Sequence, residues 1–366
     1  MCIRSLIKFG LAIVGLLQHE AYAQSSVQLY GVVDGGVIWT SNAQGHSEWA
    51  QFSGVARSDR WGLLGSEDLG GGSRAIFRLE NGFSVTNGMA AQGGLEFGRQ
   101  ALVGVANDRL GTFTLGRQYD FMTTNLTAFS AGTVVPSVFA FHLGDLDRLG
   151  GERINNAVRY VTPQLGGLQL GALYAFGGQP GDFVHNSATG FGITYTRGPL
   201  RLAGAWTTIH NYATTFGIGT AVLGLPLSGT ARLGMLSTPV IFDKLTVAGV
   251  AGGYQLGAVA LHGLFTLVDF QNHGRASILR TAESNAQYKL SAALWLSVSY
   301  SYSRLESNHW NQVAAGVDYF LSSRTDLYLN AVWLRANAGV TTELFLLPPS
   351  STANQTVVAL GLRHMF

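Results

Sequence analysis

Residues 294–303 read LWLSVSYSYS. Leu294, Leu296, Val298, Tyr300 and Tyr302 alternate with Trp295, Ser297, Ser299, Ser301 and Ser303. The period is two residues, so the segment is a strand with one apolar face and one face that is nearly all hydroxyl. A helix of the same composition would mix the two sets around its circumference. The open question is which of the two faces meets water.

The pattern spreads outward from there. LQLGALYAF (168–176) places Leu168, Leu170, Ala172, Tyr174 and Phe176 on one face. LRLAGAW (200–206) places Leu200, Leu202, Gly204 and Trp206 opposite Arg201. The last nine residues set Val358, Leu360, Leu362, His364 and Phe366 against Ala359, Gly361, Arg363 and Met365. No segment beyond the first few dozen residues sustains a 3.6-residue apolar period. The stretch 245–268 is long enough to span a membrane as a helix and carries no formal charge, but GGYQLG interrupts its middle. It reads as two strands around a short turn.

Short turn signals punctuate the strands at 68–73, 107–111, 163–167, 197–200, 254–258, 290–293 and 321–325. Longer polar or glycine-rich connections lie near 41–53, 84–94, 120–152, 177–187, 209–238, 271–275, 306–309 and 338–353. Short and long connections alternate, and together they separate sixteen strands in one undivided domain over 24–366.

The amino terminus reads as an export signal over 1–23. Arg4 and Lys8 precede the short apolar core FGLAIVGLL, and AYA (21–23) supplies small residues at a cleavage site. The single cysteine, Cys2, falls inside that segment, ahead of the apolar core, so it is not read as a lipid anchor. The exported chain therefore has no disulfide to hold it. Charged residues make up 12% of the sequence, about half the usual share, while hydrophobic residues make up 47% and glycines number 48. Acids and bases nearly balance, which argues against a nucleic-acid partner.

Two architectures share this pattern. A soluble sandwich would turn the apolar face inward. An outer-membrane barrel turns it to lipid and lines a lumen with the polar face. Short turns at one end and long loops at the other favour the barrel. In lipid every backbone N–H and C=O must be paired, and strands achieve that only in a closed sheet. The last strand must then pair with the first, near 26–40. Sixteen strands enclose an aqueous channel rather than a filled core.

At this point specific motifs bear on the reading. SSVQLYGVVDGGV (25–37), RWGLLGSEDLGGGSRAIFRLENGF (60–83), FGRQALVG (97–104), GTFTLGRQYD (111–120), GDLDRLGGERINNAVRYVTP (144–163) and terminal GLRHMF occur in order. The chain resembles the general-diffusion porins of Gram-negative β-proteobacteria. The resemblance implies an all-β, sixteen-stranded transmembrane antiparallel barrel in the outer membrane, a homotrimer, and passive diffusion of small hydrophilic solutes and ions without a cofactor. It implies a third long loop folded into the lumen, and a terminal aromatic, Phe366, read by the barrel assembly machinery.

The loop 120–152 contains Asp120, Asp145, Asp147, Arg148 and Glu152. By the resemblance, such acids stand at the constriction, faced by wall arginines carried over as Arg60, Arg99 and Arg153. Arg74, Arg78 and Glu80 alternate with Ala75, Phe77 and Leu79, so they too should face the lumen; the parity of Arg99 and Arg117 is ambiguous. The expected filter is a transverse field between Asp145/Asp147 and Arg60/Arg99/Arg153, with slight anion preference. Leu64 stands where many relatives carry a lysine, which weakens that preference. No GxSxG or HExxH is present, and the histidines, His142 among them, show no metal-ligand spacing. An outer-membrane enzyme, an adhesin and a substrate-selective channel are the competing classes.

Overall fold

The structure, a computed structural model, describes residues 25–228 and 235–366. The expected signal segment 1–23 lies outside the described residues. The staves of the sheet are β1 (Ser26–Ala43), β2 in two pieces (His46–Ser53 and Arg60–Gly70), β3 (Ser73–Gly82), β4 (Gln100–Asn107), β5 (Gly111–Tyr119), β6 (Arg153–Val161), β7 (Leu168–Ala175) and β8 (Ala188–Arg197). They continue as β9 (Leu200–Phe216), β10 (Met235–Leu256), β11 (Val259–Asn272), β12 (Arg275–Lys289), β13 (Leu294–Leu305), β14 (Asn308–Phe320), β15 (Thr325–Ala336) and β16 (Asn354–Met365).

Each stave pairs antiparallel with its sequence neighbours, in one sheet of 17 hydrogen-bonded segments. Two of these are the halves of β2, both of which pair with β1, so the barrel has 16 strands. The sheet closes where β1 meets β16, in register from Val32↔Met365 to Thr40↔Val357. Reciprocal backbone bonds between Gly31 and Phe366, 2.9 and 3.1 Å, extend the seam to the last residue. Closure leaves the spanning backbone no open edge. Among the described residues no helix is long and apolar enough to cross a membrane.

Alternation divides the two faces as the sequence requires. Val298 and Tyr300 are 51% and 48% exposed on the outer surface, whereas Ser299 and Ser301 are 3% and 4% exposed inside. Tyr254, Tyr288, Tyr319 and Phe366 face outward at the short-turn end, and Phe176, Tyr300 and Tyr302 at the other. These are the two interfacial girdles of a membrane barrel.

The seven short turns lie where the sequence places them. At the other end, three expected loops are tight turns instead. The chain reverses at Gln44–Gly45, His273–Gly274 and Glu306–Ser307 rather than across 41–53, 271–275 and 306–309. Gln44 and Gly45 both have positive φ (55° and 100°), as do His273 and Gly274 (49° and 72°). That is the geometry of a two-residue hairpin, for which the second-position glycine is suited. The strands simply run on past the membrane, so polar residues such as His46 and Glu48 belong to strand rather than loop. The segment expected as 209–238 is likewise shorter, because β9 and β10 extend into it.

The interior is not empty. Residues 120–152 leave the rim of β5 and fold back inside the barrel. Phe121, Met122, Leu126, Phe139, Leu146 and Leu149 are buried there. Gly171 and Gly192, register partners on β7 and β8, form a socket for Phe121. A Cβ at either would lie 2.3–2.4 Å from its ring, so only glycine admits it.

Candidate functional site

The infolded loop begins at a closed neck. Arg148 Nε and Asp120 Oδ2 pair at 2.5 Å, with both side chains buried. The Thr123 and Thr127 hydroxyls donate to the carbonyls of Arg148 and Leu149 at 2.7 and 2.5 Å. Burial alone would lower the Arg148 pKa, but the Asp120 and Glu152 carboxylates raise it. This charge is therefore fixed and spent within the loop.

Further along, the loop is fastened to the wall. His142 Nδ1 lies 2.5 Å from Asp147 Oδ2, and its Nε2 lies 2.8 Å from Glu283 Oε2 on β12. The Thr266 hydroxyl donates to Asp147 from β11 at 2.8 Å. Glu283 Oε1 accepts from the Ala131 N–H at 2.8 Å. Wall amides complete the attachment: Asn285, Gln312 and Asn330 donate to the carbonyls of Phe129, Ala140 and Pro136. Burial would lower the His142 pKa, but the flanking Asp147 and Glu283 carboxylates raise it well above the ordinary value. Imidazolium between two carboxylates gives both ring N–H groups a charged acceptor. Asp145 is also buried; desolvation and the neighbouring Asp147 and Glu152 push its pKa well up, and the Gly150 N–H donates to it at 2.6 Å.

The loop also touches β2. The Val138 N–H donates to the Val55 carbonyl at 2.6 Å, inside the break 54–59 that splits the strand. The break is held by Asp34, whose carboxylate accepts from the Ala56 and Arg57 N–H groups at 2.9 and 2.7 Å and from the Tyr328 hydroxyl. These long-range bonds let a strand interruption survive in a membrane wall.

The wall from the second half of β2 to β6 carries a different set. Glu80 Oε1 accepts from Arg99 Nε at 2.8 Å, and its Oε2 faces Arg60 Nε at 3.8 Å. Tyr30 donates to the same carboxylate at 2.7 Å. Arg99 and Arg153 both donate to the Tyr119 hydroxyl, at 2.8 and 3.3 Å. Arg78 sits directly opposite Leu64 and Leu102 in register, so Leu64 faces the lumen beside it. Arg159 stacks 4.4 Å from the Phe121 ring. Arg117 follows a register shift in β5 and donates to Gly98 and Asn155.

The structure thus brings Arg60, Arg99 and Arg153 together around Glu80 and Tyr119, and Asp120 to Arg148. Among the described residues, Asp147 pairs with His142 and neither it nor Asp145 makes an ion pair with Arg60, Arg99 or Arg153. No direct pairing accompanies the expected transverse field: burial within the loop leaves Asp145 and Asp147 no water, so they take partners within reach, the Gly150 N–H for Asp145 and His142 and Thr266 for Asp147. His142 and Glu283, which hold the loop, are invisible to local pattern because 141 residues separate them. The only sequence hint is that Thr281, Glu283 and Asn285 share the inward parity of β12.

The profile described as "Gram-negative porin" matches residues 18–339. The chain belongs to the Gram-negative porin family. An outer membrane porin protein of Bordetella pertussis is 28% identical to this porin over 94% of the chain and 96% of its own length. Outer membrane porin protein 32 of Delftia acidovorans is 30% identical over 94% and 95%. Among solved structures, the anion-selective porin from Comamonas acidovorans superposes with a TM-score of 0.77 at 24% identity, over 94% of this chain and all of that one. The closed barrel and these relatives place this porin in the outer membrane as a passive-diffusion channel.

Proposed function

We propose that solutes pass between the docked loop 120–152 and the wall from the second half of β2 to β6, and that the passage prefers small anions. One observation carries this reading: the fixed charges are unevenly spent. Asp120, Asp145 and Asp147 are buried in the loop's own bonds, while Glu80 is shared by Arg60 and Arg99. Arg78 and Arg153 have no carboxylate partner among the described residues, so the free wall keeps a positive excess. In a narrow channel with low-dielectric walls such an excess concentrates counter-ions. Leu64, beside Arg78, is neutral where the resemblance implies a lysine in many relatives, and this keeps the preference modest.

The filter works by size and field. The reading extends to assembly: the porin acts as a homotrimer, a state recorded for one structural neighbour, and the terminal aromatic Phe366 is the residue offered to the outer-membrane assembly machinery. Planar-bilayer recording of the purified porin tests the reading through the reversal potential in a salt gradient. A potential on the anion side in dilute salt supports it, and a cation-side potential overturns it.

A further inference from the structure

Outside the barrel, two guanidinium groups face each other without a counter-charge. Arg280 on β12 and Arg304 on β13 are register partners on the outward face, and both are exposed. Like charges directly opposite on a sheet repel. His309 on β14 is the next register partner of Arg304, and Arg335 on β15 lies one step below, opposite Asn311. Among the described residues none of the three arginines has an ion-pair partner. Arg304 Nε reaches only the Glu306 carbonyl, at 3.3 Å. On the outward positions of β11–β15 the only acid is Asp269, opposite Ile278, and Gln271 already donates to it at 2.8 Å.

The height of this cluster is fixed by the strand. Leu294 and Arg304 are the ends of ten residue steps on β13, roughly 33 Å of strand. At the usual tilt of about 40° that is about 25 Å of height, the thickness of the apolar band. The register row through Leu294 includes Tyr319, which belongs to the girdle at the short-turn end. The arginines therefore stand at the opposite boundary, in the outward leaflet. Just below them, Tyr300, Trp333, His309, Asn311 and Arg335 line a groove of about 560 Å³. Tyr302 stacks on His309 with ring centroids 6.0 Å apart. Below the groove the surface is apolar, with Val298, Val313 and Leu329 exposed.

We propose that Arg280 and Arg304, with His309 and Arg335, bind the phosphate of a phosphorylated lipid in the outer leaflet, its acyl chains lying along Val298, Val313 and Leu329. A phosphate between the two planar forks turns the repulsion into two bidentate contacts. Basic residues beside an aromatic belt are the general chemistry of headgroup recognition. A lipid is favoured over free phosphate because the cluster sits directly above exposed apolar surface rather than in a loop.

The test is native mass spectrometry of the folded porin in detergent, titrated with diphosphorylated lipid A, its dephosphorylated form, and inorganic phosphate. Wild type should bind the diphosphorylated lipid, and Arg280→Gln/Arg304→Gln should bind it about tenfold more weakly, as expected for lost charge-assisted bonds. Channel conductance should not change, because both side chains are outside. Should the double variant fold poorly, Arg304→Gln alone should show a smaller loss in the same direction. Equal binding by wild type and variant, or equal binding of the dephosphorylated lipid, overturns the site. Phosphate binding as tight as the lipid's overturns the lipid assignment, and altered oligomer size with unaltered lipid binding would make the cluster an interface between copies.

Discussion

His142 Nε2 lies 2.8 Å from the Glu283 carboxylate, and this bond joins the infolded loop to the barrel wall across 141 residues of chain. Replacing His142 by alanine leaves Asp147 and Glu283 buried with no cation between them. Breaking a buried pair from one side costs about 3–5 kcal/mol. The loop should detach while the barrel stays closed, since closure depends on other strands. His142→Ala is expected to give noisy, enlarged single-channel currents and protease cleavage within 120–152. The same contact is pH-dependent. The His142 pKa is raised in the folded protein, because its two carboxylates outweigh burial. The clamp is therefore complete below the ordinary histidine value of about 6.5 and is lost as pH climbs through the raised one. Channel noise should rise at alkaline pH in wild type and be pH-independent in the variant.

Arginine at Val298 and at Ser299 should fail in different ways. Val298 is exposed on the lipid face, and arginine near mid-bilayer costs about 2–4 kcal/mol. Folded yield in membranes should drop. Ser299 is inward and 3% exposed, in a strand packed against the loop. Arginine there overfills a packed site, at about 1–3 kcal/mol. The barrel should insert normally while the loop shifts, which conductance will register. Identical loss of folded barrel for both substitutions would contradict the assignment of faces.

The barrel was legible because its constraint is local. Alternation at 294–303 fixes both faces of β13, and turn residues such as Gly257 and Gly198 mark reversals wherever they stand. The need to close the sheet in lipid also foretold the β1–β16 seam. Loop lengths were less legible, because His46, Glu48 and Arg275 look like loop residues in strands that continue beyond the bilayer. The constriction was least legible. Asp145 and Asp147 look like free lumen charges in sequence, and only the fold reveals His142 and Glu283 beside them. Gly54, with φ at 74°, marks the break in β2 locally, but Asp34 and Tyr328, which hold it, lie elsewhere in the sequence.

Selectivity should respond to arginines that lack a carboxylate and not to buried acids. Arg78→Gln/Arg153→Gln removes two uncompensated charges from the free wall. The reversal potential should move toward cations in dilute salt, and the shift should shrink in 1 M salt, where the screening length falls to about 3 Å. Asp145→Asn should leave the reversal potential nearly unchanged, because Asp145 is buried and already bonded to the Gly150 N–H. An Asp145→Asn shift as large as that of the arginine pair would return the loop acids to the permeation path.

Phe366 has two separable roles, and deletion can tell them apart. Its backbone N–H and C=O exchange bonds with Gly31 at 3.1 and 2.9 Å, the last rung of the closing seam. Its ring lies over Gly31, where a Cβ would come within 2.3 Å of the ring. Loss of two backbone bonds costs about 2 kcal/mol. Since β1 and β16 remain paired from Val32 to Thr40, the shortened chain should still close when refolded from denaturant into lipid vesicles. In cells the loss should be larger if the terminal aromatic is also read by the assembly machinery. The measurement is folded yield in vesicles and in outer membranes, for wild type, the deletion and Phe366→Tyr. A mild defect in vesicles with a severe one in cells, rescued by tyrosine, assigns Phe366 to assembly. Equal defects in both settings would reduce its role to the seam.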